Sequence, residues 1–395
     1  MRILFIAWDG PYVSYLDGLF LPIFARLKRE GFEFSILHFT WAEASQVKNI
    51  QASCQKAGIR YQHHPIMTWP HSSIGKLLAM IMGPITIRKM VKRHSIDALM
   101  PRAMIPSRMV LAALRKLTGM KIILDADGLQ IEERVDFAGL KRESMRFKFL
   151  KDIEQRIMYK ADVILTRSHA AAEFLTQQYG EQLKAKMFKV VNGRDEKVFS
   201  RSSLSDQQAL RVTLNIPDDA FVSVYCGSLG PQYGVDEMIW LHRRIQQRNP
   251  QAWWLVITGN PGYLANRQLP ANVIIRRVRS DEVPKYLSIA NLAFALRKNS
   301  DSMKGVAPVK LGEYLLMGLP VIASSAIGDT GKLLEGNPSC MLMNDLSEPA
   351  LEGALSWLER LDPSAVAVEA RRCGEEHFGL SVAVNSYLLA LRTLG

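Results

Sequence analysis

The stretch MKGVAPVKLGEYLLMGLPVIAS, Met303–Ser324, reads as a loop, one short helix and a buried strand. Pro308 has the fixed φ that suits a first helical position, and Gly318 with Pro320 stops the helix two turns later. Val321-Ile322-Ala323 is a short apolar run between turn residues, the pattern of a strand covered on both faces. Lys310 and Glu313 stand three residues apart, so they project from one face of the helix. The helix start offers unpaired N–H groups and a positive dipole end, to which Lys310 adds a full charge. That combination suits a diphosphate. Glu313, one turn further in, has the chemistry to accept hydrogen bonds from a pair of sugar hydroxyls. The bland alternative is a solvated helical ion pair, worth a few tenths of a kcal/mol.

The same residues carry a resemblance. The stretch looks like the donor-binding signature of the GT-B retaining glycosyltransferases of the family-4 type, in the variant Pro-x-Lys-x-x-Glu-Tyr. The resemblance implies two Rossmann-like domains facing an interdomain cleft, with a C-terminal helix crossing back to the first domain. It implies transfer of a sugar from a nucleotide-diphosphate donor to a hydroxyl, with retention and without a metal, the donor being a substrate and no further cofactor being needed. It places the ribose on Glu313. The common family pattern has a second glutamate eight positions earlier, at the donor sugar. That position is Gly305 here, so sugar recognition does not carry over.

Composition sets the frame. A chain of 395 residues exceeds the size at which single cores stop growing, so two domains are expected. The expected division is 1–200, 206–376 and a last helical segment, 377–395. Apolar residues make up 48% and charged ones 22%, ordinary for a globular protein and unlike a disordered one. The four cysteines, Cys54, Cys226, Cys340 and Cys373, have neither metal-ligand nor CxxC spacing, which points to a reducing compartment and no zinc site. The first residues lack a cleavable signal pattern and no apolar run reaches spanning length, so a cytoplasmic location is expected. The net charge of +12 is uneven: residues 1–200 hold 31 Lys and Arg against 19 Asp and Glu, while residues 201–395 hold 19 of each. An anionic partner for the first half follows. No nucleic-acid motif accompanies it and aromatic residues are not interleaved with the basic ones, so an anionic membrane surface is preferred to nucleic acid.

In the first half, Ile3–Ala7 followed by Trp8-Asp9-Gly10-Pro11 reads as a strand and its turn. Tyr15–Glu30 has helical spacing, with Leu16, Leu19, Phe20, Ile23 and Leu27 on one face. Further strands at Phe34–Phe39, Ala98–Met100, Ile122–Leu124 and Val163–Thr166 continue a βαβ alternation and argue for an α/β sheet with helices on both faces. Ligands of such sheets sit beyond the carboxyl ends of the strands, which selects Asp9-Gly10, Arg102, Asp125–Gly128 and Ser168. Asp127 reads either as an active-site carboxylate or as part of a capped turn; relatives carrying the signature above often have Asp-x-Arg-Gly here, and Asp127 departs from that pattern. Arg102 reads as a ligand for a donor or acceptor phosphate, or as a surface arginine. Ser73–Ile96 is rich in Leu, Ile and Met with basic flanks, and Gly83-Pro84 is expected to break it into two short amphipathic pieces. These read as a basic surface for lipid headgroups or as core-facing helices.

Asn192-Gly193-Arg194-Asp195 resembles the segment that closes the first domain of these transferases, and physically it is a tight turn after a strand with a capping aspartate. Ser-rich residues 200–205 read as a linker. The α/β pattern restarts at Phe221–Cys226. Gly227-Ser228-Leu229-Gly230 then opens a glycine-rich turn before a helix from Val235, a place where backbone N–H groups approach phosphate. The common family form carries an Arg and a Lys in this loop, where Ser228 and Tyr233 stand here. Charge neutralisation is therefore expected from backbone groups, Lys310 and Arg279 or Arg297. By resemblance, Val278 and Arg279 meet the nucleobase. Ser324–Asp329 is a candidate flap over the donor.

The candidate catalytic residues are Lys310, Asp127 and Arg102. The candidate donor-binding residues are Gly10, Gly227, Ser228, Gly230, Val278, Arg279, Arg297, Lys310, Leu311 and Glu313. The expected acceptor is a lipid-linked or oligosaccharide hydroxyl, in cell-surface polysaccharide synthesis at the inner face of a membrane. A nucleotide-sugar epimerase on the same fold and a non-enzymic nucleotide-sugar binder are the rivals.

Overall fold

The computed structural model describes residues 1–10, 15–69 and 71–395. It divides into two compact units, Met1–Val190 with Val384–Gly395, and Val191–Ala383. Pro11 of the expected first turn lies outside the described residues.

The strands of the first unit are β1 (Arg2–Asp9), β2 (Glu33–Thr40), β3 (Arg60–Pro65), β4 (Ala98–Pro101), β5 (Lys121–Asp125), β6 (Val163–Thr166) and β7 (Met187–Lys189). They form a parallel sheet in the order β3-β2-β1-β4-β5-β6-β7. Ile3, Leu4, Phe5 and Ile6 of β1 have no exposed surface, as an apolar run covered by helices on both faces requires. Chain order reverses between β1 and β4, so the carboxyl ends carrying Asp9-Gly10 and Arg102 flank the crevice where such sheets bind ligands. The edge strands β3 (RYQHHP) and β7 (MFK) are the ones the residue pattern hides, being polar or only three residues long. The expected helix after β1 forms as a π-helical turn, Leu16–Phe20, running into an α-helix, Leu21–Arg29, and Leu16, Leu19, Phe20, Ile23 and Leu27 are all buried.

Gly83-Pro84 does not break its helix. Ser72–His94 is one helix of 23 residues with Pro84 inside it. A proline there costs about 3 kcal/mol. Packing on the neighbouring Met104–Ala113 helix offsets this, because Gly83 lets the backbone close on Met109: a Cβ at Gly83 would come within 2.5 Å of Met109 Sδ. The buried line is Gly75, Ala79, Gly83, Ile87 and Met90, while Ile74, Leu77, Leu78, Ile81, Met82 and Ile85 are each 41–56% exposed. Among the described residues no helix is long and apolar enough to cross a membrane.

In the second unit β8 (Val222–Cys226), β9 (Trp253–Ile257), β10 (Val273–Arg276), β11 (Leu292–Ala295), β12 (Val321–Ser324) and β13 (Cys340–Met343) form a parallel sheet in the order β10-β9-β8-β11-β12-β13. The reversal lies between β8 and β11, and the chain leaves these strands as the Gly227 loop and as Arg297. Between β11 and β12 runs the helix Val309–Leu316. Pro308 is its N-cap and not its first helical residue, with ψ 109 still in the extended region. The helix packs on Pro363–Phe378 at very close range. A Cβ at Gly312 would lie 2.7 Å from Phe378 Cβ, and one at Gly374 2.6 Å from the Leu316 nitrogen.

Residues 200–205 are not a free linker. Ser203 caps the helix Leu204–Leu214 by accepting from Asp206 N, and Ser202 N donates to Ser288 Oγ at 2.9 Å. Short polar side chains here satisfy backbone groups that a loose segment leaves to water. The last helix, Leu380–Leu391, ends within the first unit, where Tyr387 accepts a hydrogen bond from Arg167 and Arg392 pairs with Glu30.

Candidate functional site

In the second unit the Val309–Leu316 helix is tied to the end of β8 by a tyrosine: Cys226 N donates to Tyr314 Oη at 2.7 Å. This holds Lys310, one turn earlier, over the Gly227 loop. Lys310 Nζ donates to Tyr225 Oη at 2.7 Å and lies 4.1 Å from the Tyr225 ring centroid and 4.5 Å from that of Tyr233. The Tyr225 hydroxyl donates in turn to the Ser228 carbonyl. Gly227 has φ +139, and a Cβ there would stand 2.8 Å from Lys310 Nζ, so this position requires glycine both for its backbone and for the lysine above it. Burial and the Arg297 charge together hold the Lys310 amine well below the usual lysine range.

Arg297 follows β11 and forms an isolated antiparallel bridge with Tyr233. Its guanidinium donates to Tyr233 Oη at 3.2 Å and sits 4.5 Å from the same ring centroid. Ser324, at the end of β12, receives Arg297 N at 2.9 Å and donates back to Arg297 O at 2.8 Å. The expected flap thus begins with a residue that fixes the arginine. The loop backbone is largely committed to holding its own shape: Gly227 N donates to Ile257 O and Leu229 N to Asn260 Oδ1. Two of the N–H groups expected to face phosphate are therefore taken, which shifts the weight onto Lys310 and Arg297.

Lys310 and Glu313 do not pair with each other. Glu313 is 6% exposed and its carboxylate accepts from Arg194, through Nε at 2.7 Å and through Nη2. Arg194 belongs to the Asn192–Asp195 turn, read from sequence as merely structural. The turn is anchored where it stands: Arg194 N donates to Phe378 O at 2.8 Å and Asn192 Nδ2 to Ala307 O at 3.2 Å. Tyr225 and Arg194 were missed by the sequence reading; the one available signal for Tyr225 is a tyrosine two residues before the first glycine of the loop. Gly227, Ser228, Lys310 and Arg297 come together. Gly230 shapes the loop by accepting from Tyr233 N at 3.1 Å. Leu311 is core, 1% exposed. Val278 packs partly buried against the core, and Arg279 is exposed and turned to Asp281 at 2.8 Å.

In the first unit Arg102 is 7% exposed, which removes the reading of a surface arginine. It pairs with Asp127 Oδ1 at 2.7 Å and with Asp125 Oδ2 at 3.4 Å, and its guanidinium lies 4.7 Å from the Phe20 ring centroid. Asp125 is fully buried, and both its oxygens accept from Arg167 Nη2, at 2.6 and 2.7 Å. Asp127 has φ +51, a left-handed conformation that is strained for a residue other than glycine, and it accepts from Gln130 Nε2 at 3.1 Å. Burial raises the carboxyls of Asp127 and Asp9 above the usual range. Asp9 Oδ2 is 3.6 Å from His38 Nε2, whose ring burial holds at about 4 and so keeps neutral near pH 7. Gly10 lies against Trp41, where a Cβ would stand 3.0 Å from the ring.

Residues 206–352 match the family model described as Glycosyl transferases group 1. The span takes in the Gly227 loop, Arg297 and the Val309–Leu316 helix. No curated protein sequence matches the chain. Among solved structures, Anabaena HepE in complex with UDP and glucose matches with a TM-score of 0.74 at 16% identity, over 100% of both chains. Sucrose-phosphate synthase from Thermosynechococcus elongatus gives 0.72 at 14%, over 100% of this chain and 99% of that one. The UDP-GlcNAc 2-epimerase from Neisseria meningitidis bound to UDP-GlcNAc gives 0.60 at 10%, over 100% of both. The chain has the two parallel-sheet α/β domains of the GT-B fold, as the sequence reading expected.

Proposed function

We propose that the chain is a glycosyltransferase that moves a sugar from a nucleoside-diphosphate sugar to a hydroxyl of a lipid-linked or polysaccharide acceptor. One observation carries this reading: two cations, Lys310 and Arg297, held over a glycine loop at the switch point of the second sheet, with the Glu313 carboxylate one turn behind. The match of residues 206–352 to the group 1 transferase model supports it. The Anabaena neighbour, solved with UDP and with UDP-glucose, supports a nucleotide sugar as donor.

In this reading the bond from the anomeric carbon to the diphosphate oxygen breaks as the acceptor oxygen bonds to that carbon, and the acceptor proton passes to the departing diphosphate. Charge develops on the leaving oxygen. Lys310, Arg297 and the start of the Val309–Leu316 helix are fixed before that charge appears, so they stabilise it without reorganising. Neutralisation by these groups supports a metal-independent reaction, and the family resemblance supports retention. Glu313 takes the ribose hydroxyls, with Arg194 orienting its carboxylate. We assign the acceptor side to the first unit, with Arg102 and Asp127 as its polar contacts. The Ser72–His94 helix, with its exposed Leu77, Leu78, Ile81 and Met82 and its basic end at Lys92 and Arg93, rests in this reading on an anionic membrane at its inner face.

The test is a thermal-shift screen of nucleoside-diphosphate sugars. Turnover of the best donor with lipid-linked and oligosaccharide acceptors follows, with EDTA in the assay. Stabilisation by a donor and EDTA-resistant transfer are expected. Epimerised donor in the absence of any acceptor would instead establish the epimerase reading, which shares this fold.

A further inference from the structure

Lys310 and Arg297 lie at the same distance, 4.5 Å, from the centroid of one aromatic ring, that of Tyr233. Like charges repel, and two half-buried cations do not gather at one ring without a compensating contact. Among the described residues neither is ion-paired to a carboxylate: Arg297 otherwise reaches only Met303 Sδ, at 3.7 Å, and Glu313 is engaged by Arg194. The arrangement is built into the backbone. Tyr233 and Arg297 are bridge partners, Lys298 N donates to Gln232 O at 2.9 Å, and Gly234 N donates to Leu296 O at 3.3 Å. Tyr225 stands edge-on to Tyr233, ring centroids 6.1 Å apart at 76°, and closes the corner in which Lys310 sits. The negative face of an aromatic ring attracts a cation, so a shared ring offsets the repulsion between two. The groups facing Lys310 are Tyr225, Tyr233, Cys226 and Arg297, with Glu313 on its own helix, and the burial and Arg297 charge that lower its pKa agree with a site tuned to receive an anion.

We propose that Tyr233 is a positioning residue whose ring gathers Lys310 and Arg297 into a single pocket for two linked phosphoryl groups, so that Tyr233 sets the preference for a diphosphate over a monophosphate. This rests on the donor reading above. The ring replaces charge in the glycine loop with an organiser of charges that come from two other elements. The Tyr233 ring carries this role, its hydroxyl adding one bond accepted from Arg297 at 3.2 Å, and Tyr225 fixes Lys310 to the loop through the Ser228 carbonyl.

The experiment is calorimetric titration of the full chain with inorganic pyrophosphate, and with UDP, GDP and ADP beside the corresponding monophosphates. Tyr233→Leu is expected to weaken pyrophosphate and the bound diphosphate by about tenfold while leaving the monophosphate within about threefold, and Tyr233→Phe to stay close to the parent. A tyrosine with a purely structural role weakens all ligands alike and leaves the diphosphate-to-monophosphate ratio unchanged; that result overturns the proposal while the donor reading stands. Adding Tyr233→Leu to Arg297→Gln is expected to cost little more than Arg297→Gln alone. If Tyr233→Leu loses its cooperative melt, the cycle between Arg297→Gln and Lys310→Met decides. Coupled losses support one shared pocket and independent losses overturn it. Failure of the parent to bind pyrophosphate or any of the three diphosphates overturns both readings.

Discussion

At Glu313 the carboxylate is held by two N–H donors of Arg194, 119 positions away in the chain, so its orientation is set by the protein itself. Hydrogen bonds to a charged group contribute about 1.5–3 kcal/mol each, so Glu313→Ala is expected to lower nucleotide affinity by about tenfold to a hundredfold for each ribose bond lost. Calorimetry with the best donor checks this, and a thermal melt of the same variant separates it from loss of the Arg194 pair. An unchanged affinity would remove Glu313 from the ribose. Lys310 supplies a second expectation. Burial and Arg297 lower its pKa, so the amine gains its proton only as pH falls through that lowered value. Diphosphate affinity is expected to rise as pH decreases from the alkaline side and to level off once the amine is charged. A pH series of titrations shows this, and Lys310→Met flattens it.

The Ser72–His94 helix reverses the usual arrangement of a surface helix. The first half of its buried line is made of small residues, Gly75, Ala79 and Gly83, because the backbone closes on its neighbours, and the large apolar side chains from Ile74 to Ile85 are left outside, while Ile87 and Met90 continue the buried line. Trp69, just before the helix, is 83% exposed. Side chains this exposed contribute little to folding, so Leu77→Gln with Ile81→Gln is expected to change stability by no more than about 0.5 kcal/mol per site. The same pair of changes is expected to abolish pelleting with anionic liposomes. Equal pelleting of parent and variant, or no preference for anionic over neutral lipid, excludes the membrane reading.

For the whole molecule, the first unit is held around a buried charge network. Asp125 joins two arginines from different strand ends, Arg102 after β4 and Arg167 after β6, and Arg167 continues to Tyr387 on the last helix. Removing one partner leaves buried charge uncompensated, at a cost of about 3–5 kcal/mol. Asp125→Ala is therefore expected to lower the melting temperature of the first unit markedly, in a scan that resolves the two units. Asp127→Ala costs less, because its side chain is a quarter exposed.

Local punctuation was enough to establish the class of fold. Apolar runs between turn residues gave the inner strands, the spacing of Leu16, Leu19, Ile23 and Leu27 gave a helix and its buried face, and Gly227 and Gly318 marked where the chain turns. These signals act over a few residues, where backbone sterics and periodicity decide the outcome. The continuity of the helix through Pro84, the burial of Arg102, and the partners of Lys310 and Glu313 were not legible. Tyr225 lies 85 positions from Lys310. They meet because β8 and β11 became neighbours at the centre of the sheet, and strand order is settled by the packing of the whole unit. A residue's type and its local spacing determine what chemistry it can offer; only the tertiary structure decides which opposite or like charge stands beside it, since electrostatic partners are chosen by distance in space.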